Sequence, residues 1–186
     1  MPTFRDQIPN LLSISRVPAS AVFVVVFSTS APAAFWVALA IATMALLTDF
    51  ADGYLARKWA VETEAGYFLD GLGDKCFTIA FCLVIAREYP TLMFPMWALI
   101  ARELLLYGLR AIDPKKATNL VRFRNLSLWQ AGTVRTTFGA FLLLSGLRLY
   151  MIEAPAAVEI VFYVSTGFSV MFGWASVFLL ARTLTT

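Results

Sequence analysis

The sequence predicts an all-α integral membrane protein built as a bundle of six transmembrane helices. Its 186 residues are 60% hydrophobic and have a mean hydropathy of +0.74, which is typical of membrane proteins and not of soluble domains. Six apolar segments can be counted along the chain, each long enough to form a helix through a bilayer. Polar connections separate these segments, and several of the connections contain a proline.

Four of the six predicted helices end shortly before a proline. Pro32, Pro90, Pro114 and Pro155 lie in the gaps between runs, where a missing N–H donor disturbs no helix. The second run ends in a charged stretch, and the third run begins with one. In chain order, the six predicted helices are Leu11–Ser28, Ala33–Trp59, Gly66–Ala86, Leu92–Ile112, Gly132–Tyr150 and Ala156–Ala181.

Basic residues predict how the bundle is oriented in the membrane. Arg87 and Arg148 would lie at one face, where the connections near Glu88 and Glu153 are acidic. The positive-inside rule therefore places both termini, and the charged ends of the second and third helices, at the cytoplasmic face of the cell (inner or plasma) membrane. The basic residues predicted at that face are Arg5, Arg57, Lys58, Arg110, Lys115, Lys116, Arg122, Arg124 and Arg182.

The longest polar connection, from Pro114 to Gln130, is predicted to lie between helices. Arg122 and Arg124 alternate with apolar residues there, the pattern of a short amphipathic piece that rests on the membrane surface. The fifth helix is therefore predicted to begin only at Gly132, after these polar residues.

The chain contains no histidine and two cysteines. A histidine-based catalytic triad or zinc site is therefore excluded, and any catalytic base must be a carboxylate, a lysine or a tyrosine. Cys76 and Cys82 lie on one predicted helix and are predicted to be reduced packing residues.

Four aspartates mark the stretch from Asp49 to Asp74, between strongly apolar sequences. A carboxylate at membrane depth costs a few kcal/mol or more unless it is paired or bound to a metal. The first two, Asp49 and Asp52, are three residues apart, and Asp70 and Asp74 are four apart, so each pair lies on one helix face. If the chain turns near residue 61, an antiparallel hairpin gathers the four into one cage. Its all-oxygen ligands suit Mg²⁺ or Mn²⁺, and the crowding suits two ions.

The pattern of this stretch, D-x2-D-G-x2-A-R-x8-G-x3-D-x3-D, resembles the signature of the CDP-alcohol phosphatidyltransferases. All eight fixed positions match: Asp49, Asp52, Gly53, Ala56, Arg57, Gly66, Asp70 and Asp74. The resemblance implies the six-helix bundle of that family, as a single membrane-embedded catalytic domain over residues 1–186 with a juxtamembrane segment at about 1–10. It also implies the reaction, in which a CDP-linked lipid gives its phosphatidyl group to an alcohol and CMP is released.

The resemblance assigns a role to each of the four aspartates. Asp49 and Asp70 would each bridge both metal ions. Asp52 would complete the site of one ion, and Asp74 that of the other. Asp74 would also be the general base that takes the proton of the acceptor hydroxyl. The implied cofactors are two Mg²⁺ or Mn²⁺ ions, which can clamp a diphosphate during an in-line displacement.

Four further residues are candidates for binding the CDP-lipid. Gly53 has no side chain, so a ligand can approach the second helix closely there. Arg57 can neutralise a phosphate through a bidentate contact. By resemblance, Thr63 lies in the turn near the place where the family binds the cytidine part. Asn10 belongs to the segment Ile8–Arg16, which looks like the N-terminal segment of the phosphatidylglycerolphosphate synthases of this family.

A second resemblance to those synthases, over Ile100–Arg110, implies glycerol 3-phosphate as the acceptor and phosphatidylglycerophosphate as the product. Glu103, Tyr107 and Arg110 share a helix face, with Arg102 beside them. The alternative interpretation is that Glu103 and an arginine form an ion pair that locks two helices together. The predicted acceptor-phosphate residues are Lys75, Arg102, Arg110 and Arg135.

Departures from the family pattern concern the acceptor side. Gly132–Thr137 resembles the family stretch Gly-Lys-x-Lys-Thr-Thr, but Thr133 stands where a lysine is usual and Gly139 where a glutamine is usual. Arg135 keeps the second positive charge, and Gly71 stands where a proline often follows the third aspartate. The metal site stays intact, while two other acceptors remain open: inositol phosphate, and phosphatidylglycerol as in cardiolipin synthases.

The expected partners are CDP-diacylglycerol, glycerol 3-phosphate and membrane lipid, with no nucleic acid, and the resemblance suggests a homodimer. A distant alternative is a divalent-cation transporter that uses the aspartates as its site. A transporter needs acidic residues along a path to the opposite face, but the third, fifth and sixth helices offer only Glu159 beyond the cluster. A phosphate ligand also explains Gly53 and Arg57, which a cation path does not need.

Overall fold

The described chain consists of six α-helices and one short 3-10 helix, and no strand occurs among these residues. The computed structural model describes residues 4–29, 31–59, 64–112 and 121–185. The all-α fold class with six helices is therefore confirmed. The helices are α1 (Phe4–Phe27), α2 (Pro32–Trp59), α3 (Glu64–Glu88), α4 (Met93–Ile112), α5 (Val121–Leu149) and α6 (Ala156–Thr185), and the 3-10 helix Pro90–Leu92 precedes α4.

One segment of the described chain, Ala156–Arg182, is long and apolar enough to cross a membrane, judged by length and composition. Leu11–Phe27 and Pro32–Thr48 are apolar but shorter. The aspartate motif places charged residues in the last part of α2 and the first part of α3. These charges shorten the continuous apolar stretch of both helices. The helices thus form the all-α framework of a membrane protein, while the passage of each one through a bilayer stays a prediction.

Helix α5 begins earlier than the sequence pattern predicted. The predicted connection Pro114–Gln130 is wrong in its second half, because α5 starts at Val121 and not at Gly132. The first eleven residues of α5 contain neither proline nor glycine, so nothing in them ends a helix. The predicted amphipathic piece with Arg122 and Arg124 is therefore the start of a 29-residue helix.

Helix α1 also extends beyond its apolar run. It begins at Phe4, within the predicted juxtamembrane segment, and not at Leu11. Apolar character decides where a helix can lie in hydrocarbon, but its hydrogen bonds can continue into polar residues on either side. The boundary taken from hydropathy alone was therefore too late.

Packing divides the chain into two compact units, Met1–Val84 and Ile85–Thr186. Helix α3 runs from the first unit into the second. Both units are built from helices, and the single-domain organisation over residues 1–186 stays a prediction.

In the first unit, α1 and α2 pack against each other. Ala34, Ala38 and Ala45 are buried on α2, and small side chains allow two helix backbones to approach closely. Near the connection between the helices, the rings of Phe27 and Phe35 meet edge to face with centroids 6.5 Å apart.

Helix α1 also packs against α3 in this unit. The Phe23 ring lies 4.7 Å from the Phe81 ring and 6.0 Å from the Phe77 ring, centroid to centroid. The buried positions of α1 recur every three or four residues, so one face of the helix is turned inward. These positions are Ser13, Arg16, Ser20 and Phe23.

In the second unit, α5 and α6 pack antiparallel. The hydroxyls of Thr137 and Ser165 are hydrogen-bonded at 2.9 Å, and both side chains are buried. The rings of Phe141 and Phe162 lie next to this pair, with centroids 6.4 Å apart. A buried hydroxyl pair between helices is a directional contact that apolar side chains alone do not supply.

Helix α4 packs on α6 in the same unit. The indole Nε1 of Trp174 donates to the carbonyl oxygen of Ala98 at 3.2 Å. Leu106, Val177 and Leu180 form a buried apolar cluster further along the contact. This contact fixes α6 beside the helix that carries two of the predicted acceptor arginines.

In the second unit, the ring of Tyr89 contacts both α5 and α6. It is buried, with ring centroids 5.0 Å from Phe162 and 6.3 Å from Phe141. The guanidinium of Arg148 lies 4.7 Å from the ring centroid, in cation–π contact. Burial raises the pKa of the Tyr89 phenol, and the nearby Arg148 charge opposes this rise.

Helix α5 ends in a Schellman turn whose left-handed residue is not a glycine. The Met151 N–H donates to the Arg148 carbonyl at 3.1 Å, and the Ile152 N–H donates to the Leu147 carbonyl at 3.0 Å. Met151 has a φ of 54°, a conformation in which glycine is favoured because a Cβ is strained there. Its side chain is 93% exposed, so it contributes almost no packing within the described chain.

Met151→Gly is expected to stabilise the fold by about 0.5–1 kcal/mol, because the strain disappears and little packing is lost. The measurement is the apparent Tm of the purified protein in detergent. Met151→Ala is the control, since it keeps the Cβ and should bring no gain. A lower Tm for Met151→Gly than for Met151→Ala would contradict this account.

Candidate active site

The aspartate motif lies on two consecutive helices of the first unit. Asp49 and Asp52 belong to the last eleven residues of α2, and Asp70 and Asp74 belong to the first eleven residues of α3. Both segments are helical as predicted, so the spacings of three and four residues place each pair on one helix face. Residue 61, where the chain was predicted to turn, lies in the gap between α2 and α3, outside the described residues.

The side chains of this motif are described only in part. The Asp74 side chain is exposed, whereas those of Asp49, Asp52 and Asp70 lie outside the described part of the chain. Among the side chains that are described, no group of three or more aspartate, glutamate, cysteine or histidine residues could hold a metal. The four-carboxylate cage therefore stays a prediction.

The chemistry of the donor set nevertheless fits Mg²⁺ or Mn²⁺. All four candidate ligands are carboxylates, the ligands that these hard cations prefer, and the chain has no histidine to favour zinc instead. Helix α2 and helix α3 each supply one pair, so both helices would contribute to the ions.

Three of the four predicted CDP-lipid residues lie on described helices, and the fourth lies outside the described residues. Asn10 lies on α1, and Gly53 and Arg57 lie on α2, but their side-chain surroundings are outside the described residues. Thr63 lies outside the described residues altogether. Their roles stay predictions.

Arg102 of α4 is held inside the second unit. It is 4% exposed, its guanidinium forms an ion pair with Glu103, and its Nη2 donates to the Ser176 hydroxyl at 3.4 Å. A Cβ on Gly173 would lie 3.4 Å from the Arg102 Cγ, so α6 passes close to the arginine's aliphatic part. The ion pair joins two adjacent residues of α4, and the link to α6 is the hydrogen bond between Arg102 and Ser176. Binding of acceptor phosphate by Arg102 stays a prediction.

The other acceptor candidates are placed on three different helices. Lys75 is half-buried on α3, and Arg135 is exposed on α5. Arg110 lies on α4, and its side chain is outside the described residues. An open hollow of about 620 Å³ lies along α5, lined by Leu128, Trp129, Gly132, Thr133 and Thr136, and Arg135 is not part of its lining.

Two residues that meet at the motif had no predicted role, Arg16 of α1 and Gly73 of α3. Arg16 is buried on α1, and it lies against Gly73, between Asp70 and Asp74 on α3. One signal was available for the first, because an arginine inside an apolar run needs an explanation. For the second, the only signal was a second glycine within the run Asp-Gly-Leu-Gly-Asp.

Comparison with known families gives one match that covers nearly the whole chain. The sequence profile described as CDP-alcohol phosphatidyltransferase matches residues 6–181. This range includes the complete aspartate motif and all six helices, apart from a few residues at the two ends.

Several curated relatives carry names of individual enzymes. The chain is 34% identical over 149 residues to a CDP-diacylglycerol--glycerol-3-phosphate 3-phosphatidyltransferase of Cereibacter sphaeroides, which covers 76% of this chain and 66% of the relative. It is 34% identical over 106 residues to the enzyme of the same name from Escherichia coli, covering 56% of this chain and 58% of the relative. A cardiolipin synthase (CMP-forming) of Oryza sativa is 29% identical over 177 residues, covering 88% of this chain and 54% of the relative. The chain thus spans less than two thirds of the length of these relatives.

Proposed function

Because this chain belongs to the CDP-alcohol phosphatidyltransferase family, we propose that it transfers the phosphatidyl group of CDP-diacylglycerol to sn-glycerol 3-phosphate, yielding phosphatidylglycerophosphate and CMP. The observation that carries the proposal is the complete aspartate motif on two consecutive helices. The choice of acceptor is supported by relatives of that name, which are 32–36% identical to this chain.

The proposed enzyme depends on two Mg²⁺ or Mn²⁺ ions. Asp49 and Asp70 would contact both ions, with Asp52 and Asp74 each completing one site. When bound, the ions would neutralise the diphosphate and the charge that develops on the attacking and leaving oxygens.

The side chains of the motif would orient the substrates and move one proton. Gly53 leaves room for the diphosphate to approach α2, and Arg57 would hold a phosphate oxygen. Asp74 would accept the proton of the glycerol 3-phosphate hydroxyl. The oxygen of that hydroxyl attacks the phosphorus that bears the diacylglycerol. The bond from that phosphorus to the bridging oxygen breaks, and CMP leaves with the bridging oxygen. An exposed Asp74 side chain is accessible to a water-soluble acceptor.

Arg110 is the acceptor-phosphate residue that the geometry favours on α4. Arg102 and Arg110 are eight residues apart, which corresponds to about 12 Å along a helix, so one small phosphate cannot be equally close to both. Arg102 is buried and already bonded to Glu103 and Ser176. We therefore propose that Arg110 contacts the phosphate, with Lys75 and Arg135 as further sources of positive charge.

Arg110→Ala is expected to raise the KM for glycerol 3-phosphate at least about tenfold, which corresponds to about 1.4 kcal/mol of charge-assisted hydrogen bonding. The KM for CDP-diacylglycerol should change little, because other residues hold that substrate. The measurement is a pair of steady-state titrations, one for each substrate. Arg87→Ala is the control, since it removes an exposed arginine in the last turn of α3, at the end opposite the aspartate motif. Equal losses for both substrates would indicate a damaged fold and contradict a specific role in acceptor binding.

The setting of the enzyme is also part of the proposal. The distribution of basic residues supports a multi-pass protein of the cell (inner or plasma) membrane with its active site facing the cytoplasm. A homodimer is the proposed assembly, on the strength of the family resemblance alone.

The proposal is tested by measuring CMP release from CDP-diacylglycerol by the purified protein in detergent with Mg²⁺. The acceptors are glycerol 3-phosphate, inositol phosphate and phosphatidylglycerol, and the lipid product is identified by mass spectrometry. Release that depends on glycerol 3-phosphate supports the proposal. Release only with phosphatidylglycerol would make the chain a cardiolipin synthase, the second candidate, which the rice relative favours. Absence of CMP release, with Mn²⁺ uptake by vesicles that contain the protein, would support a transporter instead.

A further inference from the structure

Helix α1 approaches helix α3 closely at Gly73, within the aspartate motif. A Cβ built on Gly73 would lie 2.7 Å from the carbonyl oxygen of Ser13 and 3.2 Å from the Cβ of Arg16. No glycine among the described residues has a positive φ, so space and not backbone conformation requires a glycine here. The obstructing atom belongs to the α1 backbone and cannot rotate away.

Gly71, only two residues earlier on the same helix, is in a different situation. A Cβ at Gly71 would meet nothing within 4 Å. The two glycines lie between the same two aspartates, Asp70 and Asp74, so they form a matched pair for experiment. Their comparison separates the effect of crowding from the effect of any glycine-to-alanine change.

A buried arginine lies in this contact. Arg16 is 3% exposed, and its Nε would lie 3.4 Å from a Cβ on Gly73. Since consecutive Cα atoms are about 3.8 Å apart, the arginine lies within several Å of the Asp74 backbone. Burying a guanidinium is costly unless nearby groups of opposite charge or hydrogen-bond acceptors compensate for the lost water. The segment of α3 that packs beside Arg16 contains two residues of opposite charge, Asp70 and Asp74.

We propose that Ser13, Arg16 and Gly73 form a seat that fixes the Asp70–Asp74 turn of α3 against α1, with Arg16 as a positioning residue for the two carboxylates. The inference rests on the proposed function, since it concerns how precisely those carboxylates are held for metal binding and catalysis. The aromatic contacts of Phe23 with Phe77 and Phe81 extend the same helix pair and keep the seat in register.

The size of the displacement indicates the size of the effect. Raising the contact from 2.7 Å to an ordinary 3.4 Å requires a movement of about 0.7 Å. A misplacement of about 1 Å in a catalytic constellation can cost about a hundredfold in rate. Mutation of a residue that orients a metal ligand typically lowers metal affinity or activity about 10–100-fold.

The first test compares Gly73→Ala with Gly71→Ala in the full chain. Gly73→Ala is expected to lower kcat at least about tenfold and to weaken Mn²⁺ binding about tenfold. Binding is measured without substrate, from the loss of the free-ion electron paramagnetic resonance signal. Gly71→Ala should stay within about twofold of wild type in both measurements, because its methyl group meets no atom and alanine favours a helix. Equal behaviour of the two variants would overturn the seat.

The second test changes Arg16 without adding an atom at the crowded position. Arg16→Met keeps the length but not the charge, and is expected to lower kcat and Mn²⁺ affinity about tenfold. On a logarithmic scale, Arg16→Lys should recover at least about half of the kcat and Mn²⁺ affinity that Arg16→Met loses. Lysine restores the charge but not the planar guanidinium. Wild-type values for Arg16→Met would overturn the role of Arg16. If Gly73→Ala does not fold, the comparison of Arg16→Met with Arg16→Lys tests the proposal instead.

Wild-type turnover distinguishes a failure of the proposed function from a failure of the proposed seat. A wild-type protein that releases no CMP contradicts the proposed function, whereas Mn²⁺ binding still tests the seat. A wild-type protein that is active, with variants that bind Mn²⁺ and turn over normally, contradicts the seat alone. Apparent Tm values within about 4 °C of wild type would show that the variants are folded. A loss of Tm with unchanged Mn²⁺ affinity would mean a merely structural contact and would overturn the inference.

Discussion

Asp70→Asn and Asp49→Asn are each expected to lower the rate of CMP release at least about a hundredfold, because each removes a carboxylate proposed to touch both metal ions. The change replaces a charged ligand with a neutral one of nearly the same shape, so it tests charge more than packing. Four carboxylates balance two dications, and the loss of one leaves a bridging position without its charge. Asp52→Asn should be milder, since Asp52 is proposed to contact a single ion.

The measurement combines turnover with Mn²⁺ binding in the absence of substrates. Asp113→Asn is the matched control, because it makes the same chemical change outside the motif. Both motif variants should bind Mn²⁺ more weakly, and raising the metal concentration should recover part of their activity. Full turnover of either purified variant at ordinary Mg²⁺ would contradict the two-metal site.

Asp74→Asn is expected to lower kcat about 10²–10⁴-fold, because it removes both a metal ligand and the proposed general base. An asparagine side chain cannot accept the hydroxyl proton at any metal concentration. Raised Mg²⁺ should therefore rescue Asp52→Asn in part but leave Asp74→Asn slow. In the wild type, the chemical step should slow as the pH falls, because a protonated carboxyl group cannot act as a base.

The distinction is measured in single-turnover experiments at several Mg²⁺ concentrations and pH values. Asp74→Asn should lose the dependence of rate on low pH that the wild type shows. Complete recovery of Asp74→Asn at high Mg²⁺ would restrict Asp74 to metal ligation, and another group would then have to take the proton.

Much of the architecture followed from composition and periodicity. Six apolar runs predicted six helices, and the boundaries of α2 and α4 were found within one residue. Apolar runs and prolines are local signals, so they can be recognised without knowledge of the partners of each helix. The start of α5 was missed because polarity was taken as a sign of a loop, whereas polar residues without proline or glycine can continue a helix.

The candidate site was predictable to the extent that its residues are consecutive in the sequence. Asp49, Asp52, Asp70 and Asp74 could be grouped because their spacing matches helix periodicity, and both segments are helical. Arg102 shows the opposite case. Its sequence neighbours indicated a ligand or an ion pair, and the hydroxyl of Ser176, 74 residues away, is visible only after folding.

The sequence by itself determined the helical membrane architecture, the family and the aspartate motif, because each depends on residue type and on spacing within one or two helices. Only the tertiary structure showed that Arg16 and Gly73 meet, since their contact joins positions on α1 and α3 that no local pattern connects. The physical reason is the distance at which each interaction acts. Helix formation and hydropathy are summed along the chain, whereas an obstruction at 2.7 Å depends on how two backbones pack against each other.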